Sequence, residues 1–339
     1  MPSLAIRGFV DAHCHAFQRA LRGRDAGGDF WAWRDGMVAL AESLTLQQIE
    51  SEYVEVYREL SANGFTAVGE FHYLGLEEAR AAAAAAAEAG IAFVCVYACY
   101  LRGGSPRFRQ ESAADYLAQL ERLRSDGIPV AVAPHSVRAC PAEALRELGT
   151  YAAANGLPLH VHADEQPREI EECLAEHGVR PIELLAREGC LGDHTTIVHA
   201  THADGAELDL VAETRARICV CPTTEASLGD GFLPVARVAH RRIELCIGSD
   251  SNVRIDPLEE LRELEGIARR QTGRRGVLSI EELERIGSAN GAAALGLDAW
   301  PDAVVDLAHR QLLGVAAEDV YPALVFSCGG EVLRKTLDQ

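Results

Sequence analysis

Residues 8–15 read GFVDAHCH, a short apolar segment that runs into two histidines separated by one cysteine. Side chains alternate along an extended chain, so His13 and His15 point to the same side. Two imidazole nitrogens that converge on one point suit zinc or a similar divalent ion. A pair of hydrogen-bonded core histidines is the alternative, and the motif by itself does not separate the two.

Seven more short apolar segments follow, each separated from the next by a longer amphipathic stretch. This alternation is typical of βα units around a parallel sheet, and eight such units match the length of a (β/α)8 TIM barrel. A doubly wound sheet is the alternative, but no glycine-rich phosphate loop follows the first strand. The predicted strands are 8–11, 66–71, 91–97, 129–134, 158–162, 195–200, 217–221 and 245–249.

Helix end signals fit between these strands. Thr45 followed by Gln48 predicts a capping box at the start of one helix. The alanine-rich residues 77–89 predict another helix, which ends at Gly90. Residues 279–295 predict a further helical region after the barrel helices.

At 339 residues the chain can bury one large core. We assign residues 1–300 to the barrel and residues 301–339 to a C-terminal tail of mixed character. Within the tail, residues 323–327 predict a short strand. No internal repeat or low-complexity linker points to a second full domain.

The chain carries a formal net charge of −19. Nucleic acids and anionic membranes need a basic surface, so neither is expected as a partner. No segment approaches the length of a membrane span, and the first ten residues lack the pattern of a secretory signal. The ten cysteines are scattered, several of them in apolar segments, which predicts buried free thiols in the reducing cytoplasm.

In a TIM barrel the active site lies at the carboxyl ends of the strands, and histidines and carboxylates of this chain gather there. We select His13, His15, His162 and Asp250 as metal ligands, because they lie at the ends of the first, fifth and eighth strands. His160 faces the same way as His162 but lies farther from the strand end, so we expect it to be a packed neighbour.

One metal ion is expected rather than two. Many two-metal barrel hydrolases bridge their ions with a carbamylated lysine from a middle strand, whereas the only lysine here is Lys335. A bridging carboxylate is the alternative route to a second ion. Zinc is the first choice of metal, and iron and manganese accept the same nitrogen and oxygen ligands.

Glu165 and His199 are candidate acid/base residues, and Asp250, besides binding the metal, is expected to take the proton of the water together with His199. Glu165 stands three residues beyond His162, where it can reach a metal-bound water without binding the metal. His199 lies on the sixth predicted strand, from which it can orient and deprotonate that water. A solvated glutamate and a satisfied core histidine are the plain alternatives, and the neighbouring ligands favour the catalytic roles.

The order of these residues resembles that in sequences of the amidohydrolase superfamily, specifically its mononuclear deaminase branch. The local sequence around them is more similar still to the formimidoylglutamate deiminases of histidine degradation. The HxH and HxxE motifs with a late aspartate are typical of the superfamily as a whole. The segments that are much more specific to the deiminases are HAFQR, FHYL, PHSVR and CPTTEASLGDG. The matching segments are HCHAFQRALRG from His13, FWAWR ending at Arg34, GEFHYL from Gly69, APHSVRA around His135, HVHADEQ from His160, VHATH from Val198, CPTTEASLGDG from Cys221 and GSDSN from Gly248.

The resemblance implies the metal and acid/base residues already named, and it adds a set of substrate contacts. The implied reaction converts N-formimino-L-glutamate and water to N-formyl-L-glutamate and ammonia. That substrate carries two carboxylates, which suit the planar guanidinium groups of two arginines. The implied substrate contacts are Gln18, Arg34, Tyr73, His135 and Arg138.

Family members usually carry several tens of residues before the HxH strand, and these form part of a flanking β-sandwich. Here that strand begins almost at Met1, and only residues 302–307 and 323–335 resemble part of the sandwich. We therefore expect a (β/α)8 barrel with a reduced remnant of the flanking β-sandwich.

Two other functions stay open. A deaminase of a neutral heterocycle, a purine or a pyrimidine, would use the same metal site without needing Arg34 or Arg138. A non-catalytic barrel relative would need neither Glu165 nor His199. The expected substrate is a small anionic amidine, and a homodimer is the expected assembly if the chain associates.

Overall fold

The computed structural model describes residues 2–24 and 27–335, with the backbone alone at Lys335. The strands of this part of the chain belong to two sheets. In chain order they are β1 Ser3–Ile6, β2 Phe9–Cys14, β3 Phe65–His72, β4 Ala92–Cys99, β5 Val130–Pro134, β6 Leu159–Ala163, β7 Thr195–His199, β8 Arg217–Val220, β9 Leu245–Ile247, β10 Ala303–Asp306 and β11 Leu333–Lys335.

Helices connect the strands and cover the sheet. The α-helices are α1 Phe30–Ser43, α2 Leu46–Ala62, α3 Leu76–Ala89, α4 Ala113–Ser125, α5 Ala142–Asn155, α6 Pro167–His177, α7 Pro181–Arg187, α8 Gly205–Thr214, α9 Pro222–Leu228, α10 Val235–His240, α11 Pro257–Thr272, α12 Ile280–Gly287, α13 Ala289–Leu295 and α14 Val320–Ser327. Short 3-10 helices lie at Ala16–Leu21, Pro106–Phe108, Arg310–Leu312, Ala317–Asp319 and Gly330–Val332.

Strands β2 to β9 are parallel and follow one another in sequence order around a barrel. Their residues are almost all buried, because helices cover the outer face and side chains fill the inner one. The predicted (β/α)8 barrel is confirmed, and all eight predicted strands are observed. The largest difference is in β2, which continues beyond its predicted end to Cys14.

The barrel closes between its first and last strands, β2 and β9. Across this seam the Asp250 N–H donates to the carbonyl of His13 at 2.9 Å, and the His15 N–H donates to the carbonyl of Asp250 at 2.8 Å. The backbone of Gly248 passes so close that a Cβ there would lie 2.7 Å from the carbonyl oxygen of His13. The seam therefore holds His13, His15 and Asp250 side by side.

The predicted helix ends are observed. At the start of α2, Thr45 Oγ1 accepts from the Gln48 N–H while Gln48 Oε1 accepts from the Thr45 N–H, which is the predicted capping box. Helix α3 ends at Gly90 in the left-handed conformation, with φ of 60°. The predicted helical region 279–295 consists of α12 and α13, which meet at Ser288.

Two details near the chain ends differ from the predictions. The strand predicted at 323–327 is wrong, because these residues lie in helix α14, which packs against α11. A short apolar run does not distinguish a strand from a buried helix, and Arg262 of α11 donates to the carbonyl of Val325 at 2.7 Å. Strand β1 was not predicted, and it forms because β10 offers it an antiparallel partner.

Strands β1, β10 and β11 form a small antiparallel sheet beside the barrel. Strand β1 comes from the start of the chain, whereas β10 and β11 come from the predicted tail. The division into a barrel of residues 1–300 and a tail of residues 301–339 stays a prediction. Residues 336–339 of the predicted tail lie outside the described residues. Within the described ranges, no helix combines the length and the apolar character needed to cross a bilayer.

We expect Gly248→Ala to destabilise the fold by about 2 kcal/mol, because the new methyl group forces the seam apart. Gly36→Ala is the control, since Gly36 lies on α1 with open space around it. That change should leave the protein as stable or raise its stability by up to about 1 kcal/mol, because alanine favours a helix. Urea unfolding of the two variants measures both effects, and equal stabilities would contradict the proposed constraint.

Candidate metal centre and active site

The polar residues predicted for the site meet at the carboxyl end of the barrel. Ten of the eleven line one small cavity, and the eleventh, His13, lies directly behind it against His162. Gln18 reaches the cavity from the 3-10 helix after β2, and Arg34 reaches it from α1. The ten are His15, Gln18, Arg34, Tyr73, His135, Arg138, His162, Glu165, His199 and Asp250.

Three histidines form a compact group that can hold a metal ion. One ligand nitrogen from each of His13, His15 and His162 lies within 4.8 Å of the others. The Nε2 atoms of His13 and His162 are 3.1 Å apart. Asp250 Oδ1 lies 3.5 Å from His13 Nε2 and 3.4 Å from His15 Nε2, so the carboxylate faces the same point.

The hydrogen bonds of these rings leave lone pairs directed at that point. His15 Nδ1 lies 2.9 Å from the carbonyl of Phe71, and His162 Nδ1 lies 3.0 Å from the carbonyl of His135. A carbonyl only accepts, so each Nδ1 carries the proton and each Nε2 keeps its lone pair. Neutral imidazoles and one carboxylate therefore fit a divalent ion.

Burial favours the neutral, metal-binding form of the three rings. Desolvation lowers the pKa of His15 to about 3 and lowers the pKa of His13 and His162 well below the usual value. His160 is also buried, but its Nε2 lies 2.8 Å from the carbonyl of Ala294 and takes no part in the group.

Glu165, His199 and Asp250 form the next part of the site. His199 Nε2 lies 3.7 Å from Glu165 Oε1 and 3.8 Å from Asp250 Oδ2. A sulfur from the barrel interior joins them, since the ligand atoms of His199, Cys221 and Asp250 lie within 4.8 Å of one another. Cys221 ends an apolar segment of the sequence, and no signal there marks it as a neighbour of the site.

Two pKa shifts describe the charges here. Burial opposes a charged His199, but the hydrogen bond with Glu225 and the charges of Glu165 and Asp250 outweigh it and raise the pKa to about 10. Burial raises the pKa of Asp250 to about 7, against the effect of His199. A divalent cation beside Asp250 favours its carboxylate form and disfavours a charged His199.

The two arginines of the cavity differ in their surroundings. Arg138 Nη2 donates to Glu165 Oε2 at 2.7 Å, and Arg138 Nε lies 3.6 Å from Glu169 Oε1. The resemblance implied that this guanidinium faces the substrate, whereas here it already holds the expected acid/base residue. Arg34 also lines the cavity, and among residues 2–24 and 27–335 no carboxylate lies within ion-pair distance of it.

The remaining predicted contacts are neutral. Gln18 Nε2 donates to the hydroxyl of Tyr73 at 2.9 Å. The ring of His135 lies 4.2 Å from that of Tyr100 and stacks on that of His162. Burial lowers the pKa of His135, with Arg138 acting in the same direction, so this ring is neutral at pH 7.

Several lining residues were not predicted, and most of them are apolar. Helix α1 contributes Phe30, Trp33 and Met37 beside Arg34, at the i, i+3, i+4 and i+7 spacing of one helix face. That spacing was visible in the sequence and could have identified them. Tyr100 follows β4, and no signal in the sequence marked it.

A larger cavity of about 500 Å³ lies at the opposite end of the barrel, beside the amino ends of β5 and β6. Its lining is mainly apolar, with Arg124 and His194 as the charged or titratable side chains. No carboxylate belongs to that lining, so the groups suited to hydrolysis lie at the smaller cavity.

Similar proteins are found by sequence and by structure. A family model described as the amidohydrolase family matches residues 4–299. A formimidoylglutamate deiminase of Pseudomonas aeruginosa is 36% identical, over 86% of this chain and 72% of its own length. A 5-methylthioadenosine/S-adenosylhomocysteine deaminase of Natronomonas pharaonis is 28% identical, over 98% of this chain and 80% of its own length.

A likeness in structure supports the same fold. The crystal structure of an adenosine deaminase from Xanthomonas campestris with bound zinc superposes with a TM-score of 0.88 at 23% identity. The match covers 98% of this chain and 78% of that one.

We expect the protein purified without chelators to contain about one equivalent of a divalent metal per chain, because one group of histidines and Asp250 converges on one point. His15→Ala and His162→Ala should each lower the metal content by at least about tenfold. His240→Ala is the control, since His240 is exposed and remote from the group. Elemental analysis of folded protein gives the answer, and full metal content in either ligand variant would contradict the assignment.

Proposed function

The chain belongs to the amidohydrolase family, and we propose that it is a metal-dependent deiminase that converts N-formimino-L-glutamate and water to N-formyl-L-glutamate and ammonia. The family match along the barrel and the identity with a curated member establish the membership. The chain is accordingly a hydrolase of C–N bonds. We propose the substrate, a place in histidine degradation, and the roles of the site residues given below.

The observation that carries the proposal is the guanidinium of Arg34 in the wall of the cavity. The Arg34 side chain is partly buried, a partly desolvated cation favours a nearby anion, and the described residues supply none within ion-pair distance. A carboxylate of the substrate would supply it, through the bidentate pairing that guanidinium groups favour. Arg138 Nη1 has no hydrogen-bond partner in the described chain and offers a second contact for an anion.

We assign the metal ligands to His13, His15, His162 and Asp250. Their neutral rings and carboxylate match the preferences of zinc, and iron and manganese accept the same set. A divalent ion bound there supplies a Lewis acid that makes water nucleophilic near neutral pH.

The chain's own residues then move the protons of the reaction. His199 Nε2 and Asp250 Oδ2, which are 3.8 Å apart, accept the proton of the attacking water. The oxygen of that water forms a bond to the formimino carbon as the π bond from this carbon to the terminal nitrogen breaks. Both protons of the water reach that nitrogen, one from His199 and Asp250 and one carried by Glu165 from the new hydroxyl. The remaining carbon–nitrogen bond breaks as the carbonyl forms, and ammonia leaves N-formyl-L-glutamate.

A second candidate is a deaminase of an adenine nucleoside. The aromatic side chains of Phe30, Trp33, Tyr73 and Tyr100 line the cavity and suit a flat heterocycle. The Natronomonas pharaonis relative is named for such substrates. An uncharged nucleoside such as adenosine or methylthioadenosine would offer neither Arg34 nor Arg138 a substrate charge to bind.

Two further proposals concern the setting of the enzyme. All ten cysteines are buried and free, as expected for a reducing compartment such as the cytoplasm. A homodimer is the assembly that we propose if the chain associates.

We expect metal-replete protein to release ammonia from N-formimino-L-glutamate much faster than from methylthioadenosine or adenosine, because only the first substrate engages the arginines. A coupled ammonia assay on one preparation, with its metal content measured, compares the three. Brisk deamination of a nucleoside without turnover of N-formimino-L-glutamate would replace the main proposal with the second candidate.

We expect Arg34→Ala to lower kcat/KM for N-formimino-L-glutamate about 30-fold, corresponding to the loss of a charged hydrogen bond of about 2 kcal/mol. Arg34→Lys should recover only part of the loss, because an ammonium lacks the planar fork. Arg58→Ala is the control, since Arg58 lies on the exposed face of α2. Steady-state kinetics with unchanged activity in Arg34→Ala would rule out the carboxylate contact.

A further inference from the structure

Two glutamates behind the cavity wall are fully buried and have no part in the functions assigned so far. Glu169 lies on α6 and is 0% exposed, and Glu225 lies on α9 and is 1% exposed. Neither lines the cavity. Each contacts one of the residues to which we assign proton transfer: Glu169 contacts Glu165, and Glu225 contacts His199.

Glu225 holds His199. Its Oε1 lies 3.2 Å from His199 Nδ1 and also accepts from the Cys221 N–H at 2.9 Å, which fixes the carboxylate at the start of α9. A carboxylate accepts, so the ring keeps its proton on Nδ1. The opposite nitrogen, Nε2, is thereby directed at Glu165 and Asp250.

Glu169 holds Glu165 in two ways. Its Oε2 accepts from the backbone N–H of Glu165 at 3.1 Å, which fixes the main chain from which that side chain extends. Its Oε1 lies 3.6 Å from Nε of Arg138, whose Nη2 donates to Glu165 Oε2 at 2.7 Å. The backbone and the carboxylate of Glu165 are therefore both tied to Glu169.

Together these contacts form one chain of alternating acidic and basic side chains across the site. Its members in order are Glu169, Arg138, Glu165, His199 and Glu225. The two inner acid/base groups, Glu165 and His199, face each other, and the outer glutamates hold them from opposite ends.

A purely structural reason for the two glutamates is weak. Glu225 Oε2 has no hydrogen-bond partner in the described chain, and Glu169 Oε1 has only the 3.6 Å ion pair with Arg138, which leaves both buried atoms poorly satisfied. Glu265 shows what a structural carboxylate looks like here. It is equally buried, yet both its oxygens accept backbone N–H groups, which closes the loop from Gly276 to Leu278.

We propose that Glu225 and Glu169 are positioning residues that orient the proton-transferring pair His199 and Glu165. This inference rests on the proposed function only in that it assigns proton transfer to that pair. It applies to any substrate from which this enzyme releases ammonia. A buried third group that orients a base is a recurring arrangement in hydrolytic sites.

The first test replaces Glu225 by leucine and by glutamine. Glu225→Leu should lower kcat about 30- to 100-fold, because His199 loses the acceptor that sets its ring, while KM changes by less than about threefold. Glu225→Gln should recover kcat to within about fivefold of the parent, since its amide oxygen can accept from both Nδ1 and the Cys221 N–H. Kinetics, metal content and melting temperature are measured on the same preparations.

Glu265→Gln is the matched control for this test. It removes a charge of equal burial far from the site, so it should lower stability while leaving kcat and KM unchanged. Parental kcat in Glu225→Leu would overturn the role of Glu225. So would a loss in Glu225→Gln as large as that in Glu225→Leu, because orientation by an acceptor would not explain it.

The second test measures the coupling between Glu169 and Arg138. Glu169→Gln keeps an acceptor for the Glu165 N–H but loses the charge that holds the guanidinium, so kcat should fall about tenfold. In an Arg138→Ala background the same change should cost less than about twofold, because the group that it positions is gone. A tenfold loss in both backgrounds, or none in the parent, would overturn the role of Glu169.

Failure of the proposed substrate can be told apart from failure of this inference. If the parent enzyme deaminates methylthioadenosine and not N-formimino-L-glutamate, the proposed function is wrong, and the same variants are assayed with methylthioadenosine. The expected pattern among Glu225→Leu, Glu225→Gln and Glu265→Gln is unchanged.

Discussion

The site depends on the seam at which the barrel closes. Strands β2 and β9 are the first and last of the sheet, and backbone hydrogen bonds between His13, His15 and Asp250 join them at the carboxyl end. Asp11 strengthens the seam, since its carboxylate accepts from the N–H of Ser249 at 2.9 Å. Residues more than two hundred positions apart thus become neighbours, and the ligand group exists only while the barrel is closed.

The barrel and the ligand group could be predicted from sequence because their signals are local. A parallel strand covered on both faces is apolar throughout, and an HxH segment at its end places two rings on one side. The tail carried no such signal, because the apolar residues 323–327 are compatible with either a strand or a buried helix. Packing against α11 stabilises the helix. Strand β1 likewise depends on β10, which lies almost three hundred residues away.

The contacts behind the cavity were beyond prediction for a related reason. Glu169, Glu225 and Glu265 all lie on helices, yet two contact residues of the site and one closes a loop. Whether such a glutamate contacts the site or closes a loop depends on how its helix packs against the barrel. Arg138 shows the same limit, because the sequence marked it as a site residue but not as the partner of Glu165.

The groups that we propose for the chemistry and those that we propose to contact the outer parts of the substrate lie on different elements of the fold. Metal and acid/base candidates lie in or just after the barrel strands, where closure of the sheet fixes them. One face of α1 supplies Phe30, Trp33, Arg34 and Met37 to the cavity wall. Under the proposed function, substitutions on that single helix face would change the preferred substrate while leaving the strand-end groups in place. The chain is similar both to a formimidoylglutamate deiminase and to an adenine-nucleoside deaminase. We propose that the strand-end groups supply the reaction and that α1 supplies the selectivity.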